Sequence, residues 1–200
     1  IERFYDAEIH GPLRDAYSLD LMVVWYVHGC QAHWMLGNFQ QADEMRARAR
    51  AFSEEIDHMY SRLWVSVWSA NLDLLNGDFA HIQKTVPAAI QRSETHGFDY
   101  TARLGNLILT AGQLNSVSDI EELDQAINNF QVTGAGISIP YFLALKAQAL
   151  LRTNDTAQAR TVCEDAIAII DKNGERWPEP LAYCILGDIL ASPAINDKSG

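Results

Sequence analysis

Apolar side chains recur three and four residues apart through segment after segment of this chain, and short polar turns carrying Gly or Asn interrupt them. The segments WMLGNFQQADEMRARA, DLLNGDFAHIQKTVPAA and LLRTNDTAQARTVCEDA share one layout: an apolar run, a polar turn, then a second run with small or apolar residues at helical spacing. Gly37 and Gly77, each followed two residues later by Phe39 and Phe79, lie 40 apart, and Asn154 falls 77 further on, two periods of about 38. The repeating unit is a helical hairpin.

The second turn of each unit repeats as well. His96-Gly97, Gly134-Ala135-Gly136 and Asn173-Gly174 close the second helices, because Gly takes the left-handed conformation that ends a helix without steric cost. Unit one lacks this glycine and closes at Asp57-His58. Pro140 and Pro180 sit near the start of the next helices, where a missing N–H costs nothing. The spacing predicts first helices near 20–36, 59–76, 99–114, 139–153 and 178–191, with partners near 39–57, 79–95, 119–133 and 156–173. Ser118 and Glu121 read as a capping box opening the third partner helix, and Pro87 predicts a kink inside the second. No run alternates with the period of a strand.

The units, with a small residue midway along the first helix (Cys30, Ala70, Ala147, Gly187), Gly at the turn and an aromatic two residues on, resemble tetratricopeptide repeats stretched from 34 to 38–40 residues. Leu186-Gly187 is similar to that family's Leu-Gly pair. YDAEIHGPL followed by VVWYVHGCQAHWMLGNFQQA, and IPYFLALKAQALLRTNDTAQA followed by GERWPEPLAYCILGDILA, resemble the C-terminal repeat region of large bacterial signalling proteins. In those proteins a class III nucleotide cyclase or a DNA-binding domain precedes a STAND-type ATPase. The resemblance covers roughly 5–192. It implies an all-α, right-handed superhelical solenoid of about four and a half hairpins, a single repeat domain over 1–200. Its lead-in is 1–18, its repeats 19–58, 59–97, 98–136 and 137–174, its partial repeat 175–192 and its tail 193–200. Opening at Ile1 and closing in SPAINDKSG, the chain reads as part of a longer polypeptide.

Charge narrows the partners. With 26 acidic against 15 basic residues, the net charge of -11 gives no electrostatic footprint for nucleic acid or an anionic membrane. Three scattered cysteines read as reduced thiols. Without a spanning apolar run or a signal-peptide pattern, the cytoplasm is the expected compartment.

Chemistry-bearing clusters are few. HGCQAHW gathers His28, Cys30 and His33, but at about 100° per residue Cys30 lies about 200° and His33 about 140° around the helix from His28, so the three do not converge on one ion. No metal or cofactor is expected. Glu54-Glu55 and Glu121-Glu122 diverge around their helices, Ser53, Asp57 and His58 fall at a helix end, and no phosphate-loop motif occurs. The chain is not read as an enzyme.

A binding register is more informative. Gln31, Asn71, Thr110, Gln148 and Asp188 recur at intervals of 40, 39, 38 and 40, one residue beyond the small position of each first helix. In stacked hairpins these helices line the concave side, so the register would lay a polar ladder along a groove, or simply repeat the polar face of an amphipathic helix. Tyr60, Trp64 and Trp68 form an i, i+4, i+8 stripe, as readily core as groove wall. Trp34 and Trp64 would flank the ladder, with Arg103 and Tyr141 in the slot equivalent to Trp64. Arg46, Arg48 and Arg50 split over two faces of the first partner helix. The expectation is a non-catalytic protein or peptide interaction scaffold reporting to upstream domains, with a small-molecule effector sensor as the alternative. A homodimer through the terminal repeats is also expected.

Overall fold

The computed structural model describes residues 2–192, so the tail read at 193–200 lies outside the described residues. Among the described residues there are eleven helices and no strand. None of these helices is long and apolar enough to cross a membrane. The chain divides into two compact units, residues 1–108 and 109–200.

In the first unit two short helices, α1 (Ala7–His10) and α2 (Leu13–Tyr17), precede two hairpins. The hairpins are α3 (Leu21–Met35) with α4 (Phe39–Glu55), and α5 (Met59–Asn76) with α6 (Phe79–Thr95). Helix α7 (Asp99–Ala111) starts in this unit. The second contains α8 (Val117–Gln131), the hairpin of α9 (Ile139–Arg152) with α10 (Thr156–Asn173), and α11 (Glu179–Ala191) against both. First helices thus start at 21, 59, 99, 139 and 179. The hydrophobic period places them within one or two residues; α1 and α2 fall where a lead-in was expected.

Local chemistry explains these boundaries. Gly37, Gly77, Gly97, Gly134 and Gly174 all adopt positive φ, and at the close of unit one Asp57 does so in place of glycine, with φ of 47°. Asp20, Asp78 and Asp155 each accept a hydrogen bond from a backbone N–H in the first turn of α3, α6 and α10. The capping box of α8 is built two residues earlier than the Ser118–Glu121 spacing suggests. Ser116 accepts from the Asp119 N–H at 3.3 Å, and Asp119 accepts from the Ser116 N–H at 2.7 Å. The reason is that an extended residue is needed at the N-cap, and Ser116 has it, while Ser118 is already helical. Helix α6 continues through Pro87, whose ring is exposed.

Packing then separates the helices by role. In α5, Leu63, Val65, Val67, Leu72 and Leu74 are all buried, as befits a helix flanked by α3, α4 and α6. Cys30, Ala42 and Leu72 share one apolar cluster joining α3, α4 and α5. At Gly105 of α7 an added Cβ would stand 2.8 Å from Ile90, so α6 and α7 meet there closely. The tight contact of α7 therefore falls one turn before the register position occupied by Leu109. In the second unit Phe130 and Phe142 are fully buried, and replacing either by alanine would cost about 3–5 kcal/mol. Glu175 accepts from the Ser138 N–H at 2.8 Å and from the Trp177 indole at 2.7 Å, pinning the entries of α9 and α11.

Candidate functional site

The aromatic stripe of α5 is continuous in space and reaches two neighbouring helices. Ring centroids of Tyr60 and Trp64 lie 6.1 Å apart, and those of Trp64 and Trp68 lie 5.8 Å apart. Tyr100, in the first turn of α7, stacks on Trp64 at 5.0 Å, Phe98 meets Tyr60 edge-on at 5.0 Å, and His28 of α3 meets Trp68 at 5.7 Å. An i, i+4, i+8 spacing keeps these side chains on one side of α5, while the apolar residues between them anchor the helix. Burial pushes the phenols of Tyr60 and Tyr100 above their ordinary range, so both stay neutral hydrogen-bonding groups at physiological pH.

Several buried polar atoms of α3 and α5 lack partners. Gln31 Nε2, Trp64 Nε1, Trp68 Nε1 and Asn71 Oδ1 are closed off from water and have no hydrogen-bond partner among the described residues. Trp68 is 3% exposed, Asn71 2% and Gln31 8%. Each such group costs about 1–3 kcal/mol while unpaired. Gln31 and Asn71 follow Cys30 and precede Leu72 in sequence, so the apolar cluster that joins α3 to α5 also sets their positions. The set holds indole and amide N–H donors and one amide carbonyl, flanked by flat apolar rings. It suits an extended peptide, which offers carbonyls and N–H groups in alternation.

The remaining candidate residues have different surroundings. Trp34 is already satisfied: its indole donates to Asn76 Oδ1 at 2.6 Å, and its ring meets Phe39 edge-on, which ties together the α3–α4 turn and the end of α5. Arg103 is half-buried, 3.7 Å from Asp99. In the second unit Thr110 is half-buried, Tyr141 is 4% exposed and packs on Phe142 and Trp177, and Gln148 and Asp188 are exposed. The structure gathers Gln31, Trp64 and Asn71 in one unit and adds His28, Trp68 and Tyr100 to them. His28 lies three residues before Gln31, one helical turn away, whereas Tyr100 has no such relation to the register and its place against Trp64 was not legible in the spacing.

The other clusters resolve into packing. His28 is engaged by Trp68 and Cys30 by Ala42 and Leu72, and among the described residues no group of three His, Cys, Asp or Glu side chains gathers in a form able to hold a metal. Burial raises the Cys30 thiol to about 11, so it is protonated and unreactive. Ser53 is buried and donates to the Arg50 carbonyl, and His58 shares a hydrogen bond with Ser61. The basic strip separates as expected: Arg46 pairs with Asp43 and Asp73, and Arg48 with Glu2.

A second concavity lies on another side of α5, between α4 and α6. It encloses about 330 Å³ and is lined by Arg50, Arg62, Arg92, His81, Ser66 and Thr85 over an apolar floor. No protein-family profile, curated protein or solved structure matches this chain.

Proposed function

We propose that the chain is a non-catalytic peptide-binding module whose binding surface is the aromatic face of α3, α5 and α7. The observation that carries this reading is the set of unpaired polar atoms on Gln31, Trp64, Trp68 and Asn71 beside stacked rings. A partner that supplies carbonyls and N–H groups recovers the hydrogen bonds that the free protein leaves unmade, the buried side chains turning outward to meet it. Hairpins that begin every 38–40 residues support a tetratricopeptide-like, right-handed stacking within each unit. On the resemblance noted in the sequence, the module serves as the regulatory repeat region of a cytoplasmic bacterial signalling protein and relays peptide or domain binding to its output domain. Self-association belongs to the same reading and is supported by Tyr183 and Leu190, which α11 leaves exposed.

The test is selection of peptides from a random displayed library, followed by calorimetry on wild type, Trp64→Ala and Asn71→Ala. Selected peptides should bind wild type and lose about tenfold or more in affinity to each variant. Equal affinity for all three proteins would refute the site. Thermal stabilisation by small metabolites with none by peptides would favour an effector sensor instead. Turnover by the isolated chain would overturn both readings.

A further inference from the structure

We propose that the recess between α4, α5 and α6 binds a small hydroxyl-bearing phosphate monoester. This site is independent of the aromatic face. Its volume of about 330 Å³ matches a small-molecule pocket.

The charges of its lining decide the ligand. Asp73 is buried and committed twice, to Arg46 at 2.6 Å and to His81 at 2.8 Å. Glu54 is taken by Arg62 at 3.0 Å, and Arg62 also holds Asp57 at 2.6 Å. Arg50 on α4 and Arg92 on α6 line the same recess, and neither guanidinium pairs with a carboxylate among the described residues. In a chain with 26 acidic residues and 15 basic ones, two unmatched cations on one concavity run against the composition. Two forked guanidiniums fit a group with about two negative charges and several acceptor oxygens, which is a phosphate monoester.

The neutral groups describe the rest of the ligand. Ser66 donates its hydroxyl proton to the Arg62 carbonyl and Thr85 donates to the His81 carbonyl, each at 2.8 Å. Both therefore present lone pairs to the recess. His81 Nδ1 is held by Asp73 at 2.8 Å, which fixes the ring at the edge of the recess. The two hydroxyl acceptors call for O–H donors, as on a sugar or polyol carrying the phosphate.

Calorimetric titration with ribose 5-phosphate, inorganic phosphate and ribose, at matched ionic strength, tests the site. Ribose 5-phosphate should bind wild type about tenfold more tightly than inorganic phosphate, and ribose should give no saturable heat. Arg50→Gln and Arg92→Gln should each weaken binding about tenfold or more. Both side chains belong to exposed residues, so the variants should keep the wild-type melting temperature. Trp64→Ala should leave phosphate binding unchanged, which separates this site from the peptide surface. Absence of saturable binding by both phosphate probes would overturn the proposal, as would undiminished affinity in the Arg50→Gln/Arg92→Gln double variant.

Discussion

The indole of Trp64 lies nearly flat on the phenol ring of Tyr100, with centroids 5.0 Å apart and planes 13° apart. This stack joins α5 to the first turn of α7, 36 residues along the chain, and forms one wall of the candidate peptide site. A double-mutant cycle with Trp64→Ala and Tyr100→Ala should give a coupling energy of about 1 kcal/mol, measured by chemical denaturation. Additive effects would mean that the two rings stabilise the unit separately.

Asn71 should show a conflict between stability and binding. Its Oδ1 is buried without a partner among the described residues, so Asn71→Leu removes an unsatisfied acceptor while keeping similar volume. The variant should be more stable by about 1 kcal/mol and should lose peptide affinity. A destabilised Asn71→Leu protein would indicate that the amide is satisfied in solution.

Asp73 occupies the opposite situation. Its carboxylate is buried between Arg46 and His81, and Asp73→Ala strands a partly buried guanidinium. A loss of about 3 kcal/mol is expected in urea denaturation. Loss of less than about 1 kcal/mol would show that Arg46 finds another partner or reaches water.

The thiols should differ in reactivity and in pH dependence. Cys184 is exposed, whereas Cys30 and Cys163 are buried, and the Cys163 thiol donates to the Ala182 carbonyl at 3.2 Å. Mass spectrometry after native alkylation near neutral pH should find Cys184 modified first. The Cys30 thiol is raised from 9.0 to about 11, so above pH 9 the unfolded chain gives up a proton that the folded chain retains. Its contribution to stability is complete below pH 9 and disappears as pH rises to about 11, a loss of about 2–3 kcal/mol. Cys30→Ala should flatten that part of the stability profile.

Capping distinguishes two serines of one turn. Ser116→Ala removes the hydroxyl that accepts from Asp119 N–H and should cost about 1 kcal/mol, whereas Ser118→Ala should change stability by less than about 0.5 kcal/mol. Thermal melts of the two variants compare them directly. The sequence pattern S-x-x-E at Ser118 was visible but misplaced, because the serine that caps is the one whose backbone is extended, and both Ser116 and Ser118 stand before plausible acidic partners.

The helices themselves were legible in the chain. Apolar spacing, positive-φ glycines and Asp57 act within a few residues of one another, so the starts at 21, 59, 99, 139 and 179 could be read without knowing what each helix packs against. The polar register was legible too, but its meaning was not. Asn71 and Gln148 hold equivalent positions 77 apart, yet one is buried and the other exposed. Burial depends on neighbours contributed by other helices. The recess shows the same dependence: Arg50, Arg62 and Arg92 look alike in sequence, and only packing decides that Arg62 spends its charge on Glu54 and Asp57 while Arg50 and Arg92 keep theirs. Helix periodicity is a short-range property that the amino-acid order carries by itself. Desolvation and charge pairing arise between segments brought together only when the hairpins pack, and the tertiary structure alone decides them.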